Sequence, residues 1–250
     1  MILLINNNLY IFIKNIKKMK IQNLIILVIS IILVSCSTNE NSTDSDWVEL
    51  TDGKTFNNWH TYLSDSVIGW KVEDGAFVYY PGEGNSNNGL VSNKSYTSFI
   101  LSLEWKVEKG GNSGIFWGVN ETKDYSVPYL TAAEIQVLDD DIYGQEDTAN
   151  FNHMNGALYD MVAPTKLFAN PTGEWNHYLI EINYNENVGN IDLNGNRAIS
   201  FPLEGPEWDA LIYNSKFRDW KGFAKTKTGP IAFQDHGTKV YYRNIKIKEL

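Results

Sequence analysis

Ile180-Glu181-Ile182-Asn183-Tyr184 and, near the C-terminus, Ile245-Lys246-Ile247-Lys248 alternate apolar with polar residues. Successive side chains of a strand point to opposite faces, so this alternation is that of strands with one buried face. Outward from these two stretches the texture stays the same. From Trp47 onward, short apolar and aromatic runs are broken by clusters of Gly, Asn and Asp, and no long 3.6-residue period interrupts them. Strands are expected over Trp70 to Tyr80, Ser98 to Val107, Ser113 to Val119, Ala133 to Leu138, Trp175 to Tyr184, Val188 to Leu193, Gly229 to Phe233 and Val240 to Lys248. Asn194-Gly195, after the alternating Asn190-Ile191-Asp192-Leu193, signals a tight turn or the start of a short loop. Eight or more strands without βαβ alternation imply two packed antiparallel sheets or a barrel. The expected architecture is all-β, a jelly-roll sandwich of two antiparallel sheets.

Aromatic residues make up 13% of the chain, with Trp47, Trp59, Trp70, Trp105, Trp117, Trp175, Trp208 and Trp220 all in this region. Most are expected in the core or on sheet faces. A sheet face lined with a few rings is also how proteins stack against sugars, and composition does not divide the two uses.

The N-terminal segment has a different character. Leu24 to Val34 is apolar except for Ser30, follows Lys14, Lys17, Lys18 and Lys20, and ends in Leu33-Val34-Ser35-Cys36. A basic stretch, an apolar run and small residues before a cysteine form an export signal with a lipidation site, resembling a bacterial lipobox. The alternative, a membrane-spanning helix, needs roughly 20 apolar residues, more than this run supplies. Met19-Lys20 and the apolar run already make a complete signal, so Met19 is a second candidate start. Residues 1–35 are thus expected as signal peptide, and 36–46 as lipidated Cys36 and a polar tether. Residues 47–250 are expected as one domain, exported and lipid-anchored at the cell envelope, facing the periplasm or the cell surface. Cys36 is the only cysteine, so the domain forms no internal disulfide and its core must hold it. Removing residues 1–35 takes away four lysines and no acid, and the net charge of −9 becomes −13. Nucleic acid and anionic surfaces are poor partners for such a chain, and the lipid is the expected link to the membrane.

Three local patterns bear chemistry. In Ala133-Glu134-Ile135-Gln136-Val137-Leu138-Asp139, read as a strand, Ile135 and Val137 face the core while Glu134 and Gln136 share the other face. An acid and an amide there are either a solvent-facing pair or the floor of a site. In Ile231-Ala232-Phe233-Gln234-Asp235-His236-Gly237, Gln234 and His236 project together opposite Phe233, and His236 is one of four histidines. A histidine capping a turn is the other reading. Lys109-Gly110-Gly111-Asn112-Ser113-Gly114, followed by Ile115-Phe116-Trp117, is a glycine-rich turn feeding a strand; it lacks the Lys-Ser/Thr ending and the helix of a phosphate loop. His153 to Pro164, including Tyr159, mixes polar and apolar residues as a loop over a site would.

These strings also occur in one order with Asp52-Gly53-Lys54-Thr55, Trp70-Lys71-Val72-Glu73-Asp74-Gly75, Leu103-Glu104-Trp105-Lys106, Gly156-Ala157-Leu158-Tyr159-Asp160, Gly173-Glu174-Trp175-Asn176 and Leu193-Asn194-Gly195. The succession closely resembles the 3-keto-disaccharide hydrolase family, from about Trp47 to Leu250. The resemblance implies a concanavalin A-like, glucanase-like sandwich and cleavage of glycosides whose C3 hydroxyl has been oxidised to a ketone. Such a ketone acidifies the C2 proton, so a base can remove it and the C1 oxygen can leave, with water adding afterwards. This chemistry needs a base near C2, a donor or cation at the C3 oxygen and an acid for the leaving group.

Glu134 and His236 are the expected acid/base pair. Gln136, Gln234, Asn112, Glu104, Lys106, His153, Tyr159 and Trp117 are the candidates for contacting the carbohydrate. A divalent cation held by Glu134 and His236 is a further candidate electrophile, without a metal motif of strong spacing to support it. Glucanases of this fold place two carboxylates on one strand face. Here Glu134 is followed on its face by Gln136 and Leu138, so retaining hydrolysis from this strand is disfavoured unless Asp139 or Glu104 reaches in. A sugar-binding sandwich without catalysis and a conventional glycosidase remain the alternatives.

Overall fold

The described residues of the computed structural model are 46–82, 89–146 and 151–250. The signal segment, Met19, Cys36 and the tether up to residue 45 lie outside them. Residues 46–250 form one compact unit, with thirteen strands among the described residues. These are β1 (Val48–Glu49), β2 (Trp59–Thr61), β3 (Trp70–Glu73), β4 (Ala76–Tyr79), β5 (Leu90–Tyr96), β6 (Phe99–Val107), β7 (Asn112–Trp117), β8 (Ala133–Leu138), β9 (Asn176–Asn183), β10 (Val188–Leu193), β11 (Asn196–Phe201), β12 (Gly229–Phe233) and β13 (Val240–Glu249). Two short helices, α1 (Asp140–Glu146) and α2 (Pro206–Tyr213), join them. No helix among the described residues is long and apolar enough to cross a membrane.

The strands form the expected all-β jelly-roll sandwich. One sheet has eight strands in the order β11-β10-β9-β6-β13-β4-β3, with β1 paired to β13; the other has five in the order β2-β5-β12-β7-β8. All pairings between them are antiparallel. The alternation read from sequence sets the faces. Along β9 the inward residues Tyr178, Ile180 and Ile182 are buried while His177, Leu179, Glu181 and Asn183 are partly exposed. Leu101 and Leu103 of β6 stand opposite Ile180 and Tyr178, and Tyr242 of β13 opposite Trp105. From the facing sheet, Ile115, Ile135, Val137, Ile231 and Phe233 complete this core. Each large apolar side chain so buried contributes roughly 1.5–3 kcal/mol. A smaller cluster, Tyr62, Val91, Phe116, Val119, Ala132 and Ala232, covers part of the five-stranded sheet's other face.

Two buried hydroxyls cross the core. Tyr178 on β9 donates to the backbone oxygen of Gln136 on β8 at 2.7 Å, and Tyr242 on β13 lies 2.7 Å from the hydroxyl of Ser113 on β7. Ser113 in turn donates to the backbone oxygen of Gln234 at 2.6 Å. Burial pushes both phenols well above their ordinary range, so both remain protonated.

One expected strand needs correction, one expected turn is present, and some elements went unread. Trp70 to Tyr80 is not one strand but the hairpin β3–β4, because Asp74 and Gly75 take φ of 48° and 79° and form a tight turn. Asn194-Gly195 is the turn of the β10–β11 hairpin, with φ of 51° and 78°, the left-handed values that Asn and Gly accept most readily. β2 is three residues long, β5 has an exposed Asn-Lys-Ser middle, and β11, paired to β10 with a register shift, loses strict alternation; each hides the two-residue period. α2 spans only eight residues and buries only Trp208, too short a pattern for a 3.6 period to register.

Replacing Tyr178 with Phe is expected to lower stability by about 1–3 kcal/mol in urea denaturation, since the Gln136 carbonyl loses a buried donor. Unchanged stability would show that the hydroxyl does not hold the sheets in register.

Candidate active site

On the face of the five-stranded sheet that points away from the core, a pocket of about 280 Å³ is lined by Asn112, Tyr129, Ala132, Glu134, Gln136, Tyr159, Lys216, Phe217, Trp220, Gln234 and His236. This is near the lower end of ligand pockets, roughly 300–1,000 Å³, and suits a single sugar ring. A neighbouring hollow of about 370 Å³, lined by Asn112, Gln136, Leu138, Tyr143, His153, Met154 and Tyr159, shares three of those walls.

Each wall has a local cause. On β8, Glu134 and Gln136 alternate with core residues Ala133, Ile135 and Val137, with Ala132 just before the strand on the same side, so the strand period delivers the acid and the amide to one face. Residues 157–159 extend the sheet past β8: Gln136 N donates to Ala157 O at 3.1 Å and Tyr159 N to Glu134 O at 3.0 Å, which places the Tyr159 ring at the rim. The loop bearing His236 is stitched to β7 by Gln234 N donating to Gly114 O at 2.9 Å. Thr238 fixes it further, its hydroxyl accepting from Asn112 N at 2.8 Å and donating to Asn112 O at 3.0 Å. Two strands distant in sequence thereby bring Glu134 and His236 to one cavity.

Sequence reasoning missed the cation. Lys216 lies just past α2, its backbone N–H donating to Asp160 Oδ2 at 2.6 Å. Asp160, at φ 61°, also binds His153 Nε2 at 2.8 Å. The Lys216 ammonium sits 4.1 Å from the centre of the Tyr159 ring, whose plane also stacks with His153 at 4.7 Å. Phe217, Trp220 and Phe223 pack the loop behind it, Phe217 on Phe223 at 4.0 Å. Nothing in the string Asn214-Ser215-Lys216-Phe217 marks a site; a single lysine after a short helix reads as surface. Tyr129, Phe217 and Trp220 were likewise legible only as aromatics of undivided purpose.

Glu134 is 9% exposed, and burial pushes its carboxyl up to about 8 from an ordinary 4.5, with Lys216 pulling the other way. Burial pushes the Lys216 ammonium down, while Glu134 and Asp160 pull it back up. Gly114 makes room for the acid: a Cβ there would stand 1.9 Å from Glu134 Oε1. Gln136 donates to His153 O at 3.2 Å, which orients its amide.

Four candidates lie elsewhere. Glu104 and Lys106 sit on β6 but face outward from the eight-stranded sheet, where Glu104 accepts from Arg243 at 2.6 Å and Lys106 covers the rings of Tyr241 and Trp175 at 4.3 and 4.9 Å. They alternate with core residues Leu103 and Trp105, so the strand period excludes them from the pocket. Trp117 is 6% exposed and packs in the core near Phe201. His153 lines the adjoining hollow rather than the pocket. Asp139 does not reach in either: it is buried and accepts from Gly110 N and from the Thr172 hydroxyl.

Among the described lining residues Glu134 is therefore the single carboxylate, and they do not show the two-carboxylate arrangement of glucanases. The donor set is also thin for a divalent cation. It offers one carboxylate and one imidazole, with an ammonium bearing on the same carboxylate, and no group of three or more His, Cys, Asp or Glu among the described residues could hold a metal ion.

A sandwich with an aromatic-rimmed pocket, a proton-holding acid, an imidazole and amide donors is that of a glycoside-cleaving enzyme. Residues 46–248 match the family described as the 3-keto-alpha-glucoside-1,2-lyase-like domain, and the chain belongs to that family. It is 35% identical over 233 residues to a 3-keto-disaccharide hydrolase of Bacteroides thetaiotaomicron, covering 83% of this chain and 80% of that protein. Among solved structures, a protein of Parabacteroides distasonis provisionally assigned as a glycosyl hydrolase superposes with a TM-score of 0.75 at 33% identity, covering 82% of this chain and 94% of the other. A second from the same organism, with the same assignment, gives 0.62 at 25%, covering 82% and 99%.

Two outcomes are expected. Gly114→Ala should lower kcat/KM on the substrate proposed below at least about tenfold, since the methyl must displace Glu134 while the strand remains paired; unaltered kinetics would show that the carboxylate's position is immaterial. Glu134→Gln should raise stability at pH 7 by about 3 kcal/mol, because ionising a buried acid whose pKa is raised costs folding energy. For such a group stability is complete below about 4.5 and declines as pH rises toward about 8. The gain should thus vanish in denaturation measured at pH 4, and a gain independent of pH would point to packing instead.

Proposed function

We propose that the protein cleaves 3-keto-glycosides by elimination and hydration, with Glu134 as the base that takes the C2 proton. The observation that carries this reading is a buried carboxylate beside a cation, the single carboxylate among the described lining residues. Nucleophilic or inverting hydrolysis needs two carboxylates flanking the bond, whereas removal of a proton next to a ketone needs one base, an electrophile and a leaving-group acid. Burial makes Glu134 a stronger base than an exposed carboxylate, which suits a carbon acid. Lys216 is the amine available to activate the C3 carbonyl, and Asn112, Gln136 and Gln234 supply amides for the sugar hydroxyls. His236, at the exposed rim, is placed to protonate the departing oxygen.

The two hollows that share Asn112, Gln136 and Tyr159 support a substrate of two rings, the keto sugar over Glu134 and the leaving group toward His153 and Tyr143. The name of the Bacteroides relative supports the same substrate class. Display at the cell envelope through a lipid on Cys36 belongs to the proposal, on the lipobox-like segment alone.

The test is to incubate the protein with a 3-keto-disaccharide and with its unoxidised parent, with and without chelator. Cleavage of the oxidised sugar alone is expected, and Glu134→Gln should abolish it while the variant stays folded. Cleavage of the parent would reveal a conventional glycosidase, and cleavage of neither a binding protein. Because the base must be ionised, kcat/KM should rise with pH up to about 8 and level off above it; a flat profile from pH 6 to 9 would place the base elsewhere.

A further inference from the structure

We infer that Lys216 activates the substrate covalently, its amine condensing with the C3 ketone to an iminium ion, rather than by charge alone. The inference rests on the function proposed above and specifies the electrophile of that same pocket. Lys216 is the one primary amine among the lining residues, and it shares the cavity with the acid that would handle its protons. Its backbone is pinned by Asp160, its ammonium lies over the Tyr159 ring, and the packed ring of Phe217 follows it in the chain, so the amine of this solvent-exposed residue is held against the pocket wall. A ketone is the sugar functional group that a lysine converts into a better electron sink, and desolvation of the ammonium favours the neutral nucleophile.

The proton inventory closes within the pocket. Neutral Lys216 adds to C3, and the carbinolamine oxygen leaves as water on taking a proton from Glu134, which burial keeps protonated near neutrality. That leaves a protonated imine and the Glu134 carboxylate side by side. The carboxylate removes the C2 proton, and the C2–H electron pair forms the enamine. The enamine expels the C1 oxygen, protonated by His236, and leaves a C1–C2 alkene conjugated to the iminium. Water then adds at C1 and gives its spare proton to His236, Glu134 returns its proton to C2, and a second water hydrolyses the iminium to the 3-keto sugar and free Lys216, its released proton going back to Glu134. One water is consumed overall and no oxidant or reductant is needed. The entering form of the pair carries one proton between Glu134 and Lys216, whichever group holds it, so the rise in rate toward pH 8 is retained.

Trapping separates the covalent from the electrostatic role. The protein is treated with methyl 3-keto-α-glucoside and sodium cyanoborohydride, which reduces iminium ions in preference to ketones, and the adduct is mapped by mass spectrometry. A stable adduct on Lys216 is expected. Lys216→Arg, which keeps the cation but cannot form an imine, should lose about a hundredfold or more in kcat with little change in KM and yield no adduct at this position. Turnover by the wild type without an adduct on Lys216, or Lys216→Arg within about tenfold of wild-type kcat, overturns the covalent role and leaves the proposed reaction standing. A wild type that turns over no 3-keto-glycoside overturns both.

Discussion

Two tyrosine hydroxyls hold the structure's functional end in register. Tyr178 and Tyr242 rise from neighbouring parts of the eight-stranded sheet and bond, across a core otherwise made of hydrocarbon and rings, to Gln136 and Ser113 on the opposing sheet. Apolar packing is not directional, and a sandwich held by it alone tolerates small slides of one sheet over the other. A buried hydrogen bond does not, because a donor or acceptor left without its partner costs about 1–3 kcal/mol. The anchor points are on the strands that carry the site: Gln136 is two residues from Glu134, and Ser113 joins β7 to the loop of Gln234 and His236.

Above those anchors the pocket trades stability for reactivity. A carboxyl in its buried, ionised form is costly, and Glu134 is not relieved by a hydrogen-bonded ion pair. Gly114 leaves out the atom that would have displaced it, and among the described residues the opposing charge comes from Lys216, itself partly desolvated. Burial weakens each group's ordinary protonation preference and the partner only partly restores it, which brings the two closer to exchanging a proton. The outer face of the other sheet shows what the same residue types do when solvated. There Glu104 pairs with Arg243 and Lys106 lies over aromatic rings.

Legibility followed the range of the interactions involved. The period of two in residues 180–184 and 245–248 identified strands, and in residues 133–138 it separated Glu134 and Gln136 from Ile135 and Val137, all within a single element. Asn194-Gly195 marked a hairpin because its constraint is local backbone geometry. Where the period was short or interrupted, as in β2, β5 and α2, the elements went unread. Glu104, Lys106 and Trp117 were misplaced because ordered motifs show that residues matter together without showing which sheet face each occupies. The period of β6 itself, with Leu103 and Trp105 inward, separates Glu104 and Lys106 from any pocket on the opposite sheet.

By itself the sequence determined the fold class, the family and the strand that carries the acid, since all three depend on patterns within contiguous residues or on their order. Only the tertiary structure decided that Glu134 and His236 share a cavity, that Glu104 and Asp139 do not, and that Lys216 lines it too. Those facts depend on how strands some hundred residues apart pair, through β7 between β8 and β12, and on a loop after α2 folding back to Asp160. Desolvation, which sets the chemistry of both Glu134 and Lys216, is a property of everything packed around a group, and no local string encodes it.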